Sequence, residues 1–423
     1  MSKQTTDKAP QIRFKGFDED WAEATLSDLV ISLDAGVSVN SGDRAANSAE
    51  FGILKTSAVT NGVFEPDENK VVLTESEQSR LKESVSGGTI IISRMNTPAL
   101  VGANAYVESN HENLFLPDRL WAAKPRDGAS MRFLASILGS EKGRRAISKL
   151  AKGTSGSMKN ITKPDVLAVP VVAPCPPEQA QIGEYFRELD SLIGLHQRKH
   201  DKLVTLKKSM LQKMFPQPGA ATPEIRFNGF SSPWNSIEME KLGQTYSGLF
   251  GKTKDDFGRG CGRFVTYMGI FNNAISNLSM TGTVGVDPNQ SEVRKGDVLF
   301  TISSETPNEV GMSSVWSEDI ENIYLNSFCF GFRPLPSLKS DFLAYVFRAE
   351  AFRKRICVLA QGISRYNISK TKVMKISVSI PDPAEQQKIG TYFRALDELI
   401  SKHATQLQKL QQIKSACLEK MFI

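Results

Sequence analysis

The sequence has few of the residues that build metal, redox or disulfide sites. It holds five cysteines and four histidines in 423 residues, and no Cys-x-x-Cys pair. Cys175, Cys261, Cys329, Cys357 and Cys417 are odd in number and scattered, which argues against a disulfide framework and a zinc site. His111, His196, His200 and His403 show no ligand-like spacing to Cys, Asp or Glu, so no metal is expected. Long apolar runs are also lacking. None approaches the ~20 residues that span a bilayer, and residues 1–10 are polar, without the apolar centre of a signal peptide. The expectation is a reduced, soluble, cytoplasmic protein with no membrane partner. Charge of one sign is scarce too: a net +6 permits a polyanionic partner without demanding one.

Catalytic motifs fail when their spacing is checked. Gly248-Leu249-Phe250-Gly251-Lys252-Thr253 ends like a phosphate loop, but the position that must be the first glycine is Tyr246. Without that glycine the backbone cannot close around phosphates. Pro66-Asp67 and Glu68-x-Lys70 carry the letters of a metal-dependent nuclease, yet the acids are too crowded to come from successive strands. No Gly-rich loop after a strand suggests adenosylmethionine, and no Asn-Pro-Pro-aromatic tetrapeptide of amino-methyltransferases occurs. No catalytic residue is expected.

What the chain does contain is itself, twice. Residues 177–215 and 384–422 agree at about half their positions, among them Glu178/Glu385, Gln179/Gln386, Gly183/Gly390, Phe186/Phe393 and Lys213-Met214-Phe215 against Lys420-Met421-Phe422. Ile12-Arg13-Phe14, Gly16-Phe17 and Trp21 recur as Ile225-Arg226-Phe227, Gly229-Phe230 and Trp234. Asn160-Ile161-Thr162-Lys163 recurs as Asn367-Ile368-Ser369-Lys370. Between these matches the copies have diverged. Short β-like runs (89–92, 166–172, 298–302, 373–380) and helical patches near 131–151 and 340–360 make each module mixed α/β.

Each module leads through prolines into a proline-free stretch, a helix signal. Ile182, Phe186, Leu189, Ile193, His196, His200, Leu203, Lys207, Met210 and Met214 alternate steps of four and three. So do Ile389, Phe393, Leu396, Ile400, His403, Leu407, Leu410, Lys414, Cys417 and Met421. That is the seam of a coiled coil, on helices about 58 Å long. A single such helix cannot bury its stripe, and the second copy supplies the partner. Antiparallel pairing about a pseudo-twofold sets positions whose numbers sum to 603 opposite one another, with His200 facing His403. The expected fold class is α+β, two mixed α/β modules joined by two long helices in an antiparallel coiled coil.

The loops offer polar groups of the kind that contact nucleic acid. Lys152-Gly153-Thr154-Ser155-Gly156-Ser157-Met158-Lys159-Asn160 has the counterpart Gln361-Gly362-Ile363-Ser364-Arg365-Tyr366-Asn367. Gly and Ser permit close backbone approach to phosphates, Lys and Arg supply charge, and Arg and Asn can pair with base edges. Beside them run basic helices with Lys142, Arg144, Arg145 and Lys149, and with Arg348, Arg353, Lys354 and Arg355. The segment 92–98 matches 301–307 with different chemistry, Arg94 and Asn96 in one, Ser303, Ser304 and Glu305 in the other. Lys55-Thr56-Ser57 and Tyr267-Met268-Gly269 differ likewise. Equal scaffolds with unequal polar loops suit two different base sequences.

Here the chain resembles a known family, the specificity subunit of type I restriction–modification enzymes. The carriers are Pro-Pro-Glu-Gln-x-x-Ile-Gly-x-x-Phe at 176–186 with its echo at 382–393, Leu-Asp-x-x-Ile at 189–193 and 396–400, Lys-x-x-Leu-Gln-Lys-Met-Phe at 208–215, and Gly-Ser-Met-Lys-Asn-Ile at 156–161. The resemblance implies target-recognition domains at 1–176 and 222–383, each reading half of a bipartite, asymmetric site in double-stranded DNA. It implies spacer helices at 177–221 and 384–423, which set the gap between half-sites and dock two methyltransferase subunits. Restriction and translocation subunits complete the complex. Adenosylmethionine and ATP with Mg would sit on those partners, with no cofactor on this chain. DNA contact is carried over to Thr154, Ser155, Gly156, Ser157, Lys159 and Asn160, and to Ser364, Arg365, Tyr366 and Asn367. Lys55, Arg94, Asn96, Tyr267, Ser303 and Ser304 are further expected contacts. A protein-assembly scaffold and the remnant of a fused restriction–methylation polypeptide are the competing readings.

Overall fold

The computed structural model describes residues 9–60, 62–152 and 158–422. The chain divides into two compact units, one of residues 1–196 with 406–423, the other of residues 197–405. Each unit therefore holds one module and a segment of both long helices, Pro176–Lys213 and Pro383–Lys420.

In the first unit one antiparallel sheet orders the strands Val30–Ala35, Leu120–Pro125, Ile90–Ser93 and Asn104–Tyr106. A second orders Asn69–Val71, Gly52–Leu54, His111–Phe115 and Ser84–Val85. In the second unit a five-stranded sheet runs Gly243–Ser247, Cys329–Pro334, Val298–Thr301, Ser313–Trp316 and Ile275–Ser276. A three-stranded sheet runs Thr281–Val284, Phe257–Val265 and Ile323–Leu325. The central strands Ile90–Ser93 and Val298–Thr301 are buried along their whole length, as apolar runs without alternation require.

Two sequence expectations change. The runs 166–172 and 373–380 are not single strands. Each begins in a short helix, Lys163–Leu167 or Lys370–Met374, and only then becomes a strand, Pro170–Ala173 or Ser377–Ile380. In the first, the Thr162 hydroxyl accepts from the Asp165 amide and Pro164 lies in the first turn, a helix start that outweighs β-branched residues. The patches 131–151 and 340–360 are each two helices. Ser140, extended at φ −65°, ψ 160°, ends Met131–Gly139 and caps Glu141–Lys149 by accepting from the Gly143 amide. Ser340–Val346 and Glu350–Val358 repeat the break.

The repeated motif at the start of each long helix is a fastening. Arg13 makes two bonds to the wholly buried Glu178 carboxylate, at 2.7 and 2.8 Å, and a third to the Glu19 carbonyl. Arg226 repeats this with Glu385 and the Ser232 carbonyl. The next residue, Gln179, accepts from the Ser130 amide and donates to the Pro174 carbonyl, and Gln386 does the same with Lys339 and Pro381. Gly183 and Gly390 sit inside helices, where glycine costs about 0.5–1 kcal/mol against alanine. A Cβ there would lie 2.9 Å from the Phe133 amide or 2.8 Å from that of Phe342, so glycine lets the module helix approach.

Four aromatics close each unit. Phe186 stacks on Phe422 at 5.8 Å, with Phe133 and Trp21 against Phe422. In the second unit Phe393 stacks on Phe215 at 5.8 Å, with Phe342 and Trp234 against Phe215. The Met-Phe pair beyond each long helix thus ends in a core.

Both units pair their helix segments antiparallel. Lys414 bonds Asp190, and Tyr185 meets Cys417, in the first. Lys207 bonds Asp397 in the second, and its ammonium lies 5.6 Å from the Tyr345 ring centroid. These partners fall within one of the expected sum. His200 turns Nδ1 to Asp201 on its own helix, at 3.1 Å. Seam residues Ile182, Phe186, Leu189, Ile389, Phe393 and Leu396 are buried, while Ile193, Leu203, Ile400, Leu407 and Leu410 are half-buried. The former belong to cores shared with a module, and of the latter Leu203 and Leu410 pack against the edges of those cores.

Candidate nucleic-acid interface

In each module the fold joins two loops that lie far apart in sequence. Met95–Asn96 pairs antiparallel with Lys159–Asn160, setting Asn96 opposite Lys159 and Met95 opposite Asn160. Ser303–Ser304 pairs with Tyr366–Asn367 in the same way. A bridge joins Lys152 to Asn160 in the first unit, and one between Gln361 and Asn367 closes a hairpin on the second strand of the ribbon in the second. The ribbon continues from the central strand of the main sheet, so a rigid element aims it.

The ribbons align differently from the sequence. Ile161 donates its amide to the Arg94 carbonyl and Ile368 donates to that of Ile302, so Arg94 corresponds to Ile302. Ser303 then matches Met95 and Ser304 matches Asn96. The second copy carries one extra residue before its Thr-Pro, which shifts the apparent match.

Among the expected contacts, Thr154, Ser155, Gly156 and Ser157 lie outside the described residues. Lys159 and Asn160 are half-buried on the first ribbon, and the Asn160 Oδ1 is buried with no hydrogen-bond partner among the described residues. Asn96 is 9% exposed, and its amide serves the turn, donating to Ser93 Oγ and accepting from the Thr97 amide. Ser303 and Ser304 are buried, and the Ser303 carbonyl accepts from the Tyr267 hydroxyl at 2.6 Å. That bond brings Tyr267 to the second ribbon, and burial raises its phenol above the ordinary value. Ser364, Arg365 and Asn367 are exposed on the hairpin, Tyr366 is half-buried, and the Arg365 guanidinium lies 6.0 Å from the centroid of Phe328. Lys55 stands apart, at the end of Gly52–Leu54 in the other sheet, paired with Glu68 at 3.4 Å.

The second basic helix is not a charged surface. Arg348 donates to the carbonyls of Ser313, Ile270, Phe271 and Asn273, and burial pulls its guanidinium down to about 10. Arg353 donates to the carbonyls of Gly311, Asn308 and Val310, which fixes the loop after the ribbon strand. Arg355 bonds the Ser377 carbonyl and Lys354 pairs with Glu350. Charge in the sequence does not distinguish an arginine that binds its own backbone from one that faces solvent. In the first unit Arg144 and Lys149 are exposed.

Sequence reasoning missed Trp121 and Lys163. Trp121, 2% exposed on the strand beside Ile90–Ser93, carries the Arg94 guanidinium and the Lys163 ammonium, each 5.9 Å from its ring centroid. Lys163 stood within the repeated Asn-Ile-Thr-Lys, a signal available in the sequence.

Among the described residues no group of His, Cys, Asp or Glu could hold a metal, and no helix is long and apolar enough to cross a membrane.

Residues 261–412 match the family model of the Type I restriction modification DNA specificity domain. The type I restriction enzyme MjaVIII specificity subunit of Methanocaldococcus jannaschii is 21% identical over 259 residues, 57% of this chain. The chain spans 59% of the length of that curated relative. The crystal structure of the type-I restriction-modification system S subunit from M. genitalium superposes with a TM-score of 0.60 at 16% identity, over 98% of this chain and 99% of that one. That likeness establishes the fold. In its motifs, in the family model matched by residues 261–412 and in its fold, the chain resembles the specificity subunit of type I restriction–modification systems.

Proposed function

We propose that the chain is the non-catalytic subunit that selects the DNA site of a type I restriction–modification complex. Each module reads one half of a bipartite, asymmetric duplex site through its ribbon and hairpin, and the paired helices set the gap between the halves. The observation that carries this reading is the ribbon itself. It is built in the same place in both units from different residues, Met95–Asn96 with Lys159–Asn160 and Ser303–Ser304 with Tyr366–Asn367. A shared frame with divergent tips is what two unlike half-sites demand.

Two methyltransferase subunits dock on the helices in this reading. Leu192 and Leu399 are both 44% exposed, Leu206 is 39% and Ile413 36%. Leu192 with Leu399 and Leu206 with Ile413 are equivalent positions in the two helices, outside the seam, and each pair offers the same exposed apolar side-chain position twice to two copies of one partner. Adenosylmethionine then belongs to the methyltransferases, and ATP with Mg to the restriction and translocation subunits.

Methylome sequencing of the host before and after deletion of the gene tests the proposal. Loss of one bipartite adenine-methylation motif is expected, and an unchanged methylome sinks it. Exchanging residues 361–367 for the hairpin of a divergent homologue should alter one half-site and leave the other intact.

A further inference from the structure

The pair of cations on Trp121 has no counterpart in the second unit. Ile302 stands where Arg94 stands, and Phe330, paired with Phe300 as Trp121 is with Ile92, stacks on Phe300 at 5.1 Å. In the first unit the Arg94 guanidinium and the Lys163 ammonium each lie 5.9 Å from the centroid of the same indole. Among the described residues no carboxylate forms an ion pair with either, and the Arg94 Nε is buried with no hydrogen-bond partner. Asp34, which lies within the field of Lys163, is bound to Lys124 at 2.7 Å. Two cations without an ion-pair partner, one of them with a buried donor left unbonded, suit an anionic ligand.

We propose that Arg94 and Lys163 each contact a phosphate of the DNA backbone, rather than reading a base. The inference rests on the function proposed above and assigns the role of these two residues within it. Reach decides the matter. A side chain that reads a base must project past the sugar–phosphate surface into the groove. Arg94 is half-buried and lies along an indole that is itself 2% exposed, so its guanidinium stays at the module surface. Phosphates come to that surface. Lysine is a point charge suited to phosphate and lacks the planar fork of a base reader. Arg365 makes the contrast, on an exposed hairpin of the second unit. The first module thus holds a backbone clamp that the second does not, and the clamp fixes its register on the duplex without choosing sequence.

The full chain should be titrated with a randomised duplex library across a salt series, and the bound fraction sequenced. Each phosphate contact adds about 0.9 to the slope of log K against log salt. Arg94→Met should lower the slope by about one, Arg94→Met with Lys163→Met by about two, and Arg94→Lys should restore most of it. The selected half-sites should stay the same in every variant. A slope unchanged in the double variant overturns the inference, and so does a changed base preference in either half-site. Near-ultraviolet circular dichroism of Arg94→Met must match the parent, which separates a lost contact from a lost fold. If the parent chain shows no salt-dependent duplex binding, the proposed function falls and this inference with it. If the parent binds and the variants bind alike, the inference falls alone.

Discussion

Replacing Arg226 by Met should destabilise the second unit by about 3–5 kcal/mol, because it leaves the Glu385 carboxylate buried and unpaired. The structure supplies the reason for so large a value. Glu385 has a side-chain exposure of 0%, and Arg226 provides two bonds to it, at 2.7 and 2.8 Å. Removing Glu385 as well should return much of the loss, since a buried pair replaced by apolar groups of similar volume is often neutral or stabilising. Glu385→Leu in the Arg226→Met background is therefore expected to be more stable than Arg226→Met alone. Two units need not unfold in one step, so a single melting temperature is a poor readout. Native-state hydrogen exchange, read on amides of the helices Ser340–Val346 and Glu350–Val358, reports the second unit directly. A loss below about 1 kcal/mol for Arg226→Met would refute the reasoning, because surface ion pairs have that magnitude. A double variant no better than the single would refute it too.

Three further outcomes are expected. Phe393→Ala, at a ring that is 0% exposed and stacked on Phe215 and Tyr345, should cost about 3–5 kcal/mol by the same exchange measurement. Asp287 is pulled down to about 2, first by the Lys252 ammonium at 2.7 Å. Its folded value lies below its ordinary 3.8, so the stabilisation is present above 3.8 and fades as pH falls through about 2. Lys252→Met should therefore make the acid unfolding of the second unit begin at higher pH, followed by tryptophan fluorescence. Inserting seven residues into one long helix together with seven at the facing level of the other adds about 10.5 Å at ~1.5 Å per residue. That corresponds to about three base pairs at ~3.4 Å each, and methylome sequencing should show a longer gap with unchanged half-sites.

The helices were legible because their signal is local and repeated. A four-three alternation over ten positions has few structural meanings, and both copies carry it. The repeat also revealed Arg13, Trp21 and Met214-Phe215, but not that they fasten a module to a helix, since that depends on contacts between distant segments. The ribbons were legible only in halves. A strand of two residues has no periodicity, and its partner lies some 60 positions away. The strand expected at 166–172 failed because a threonine cap and a proline, both visible, outweigh β-branched residues at a helix start. Arg348 and Arg353 misled because burial is not written in charge.

The ribbons have a consequence for how recognition proceeds. Each is held by two residue pairs and one bridge, at the margin of a sheet whose centre is fully buried. Short ladders of this kind open more readily than the fully buried strands beneath them. If the ribbons read DNA as proposed, any ordering they undergo on binding is subtracted from every complex, matched or mismatched. Such a cost, being common to all sites, lowers affinity and leaves the difference between matched and mismatched sites to the contacts themselves.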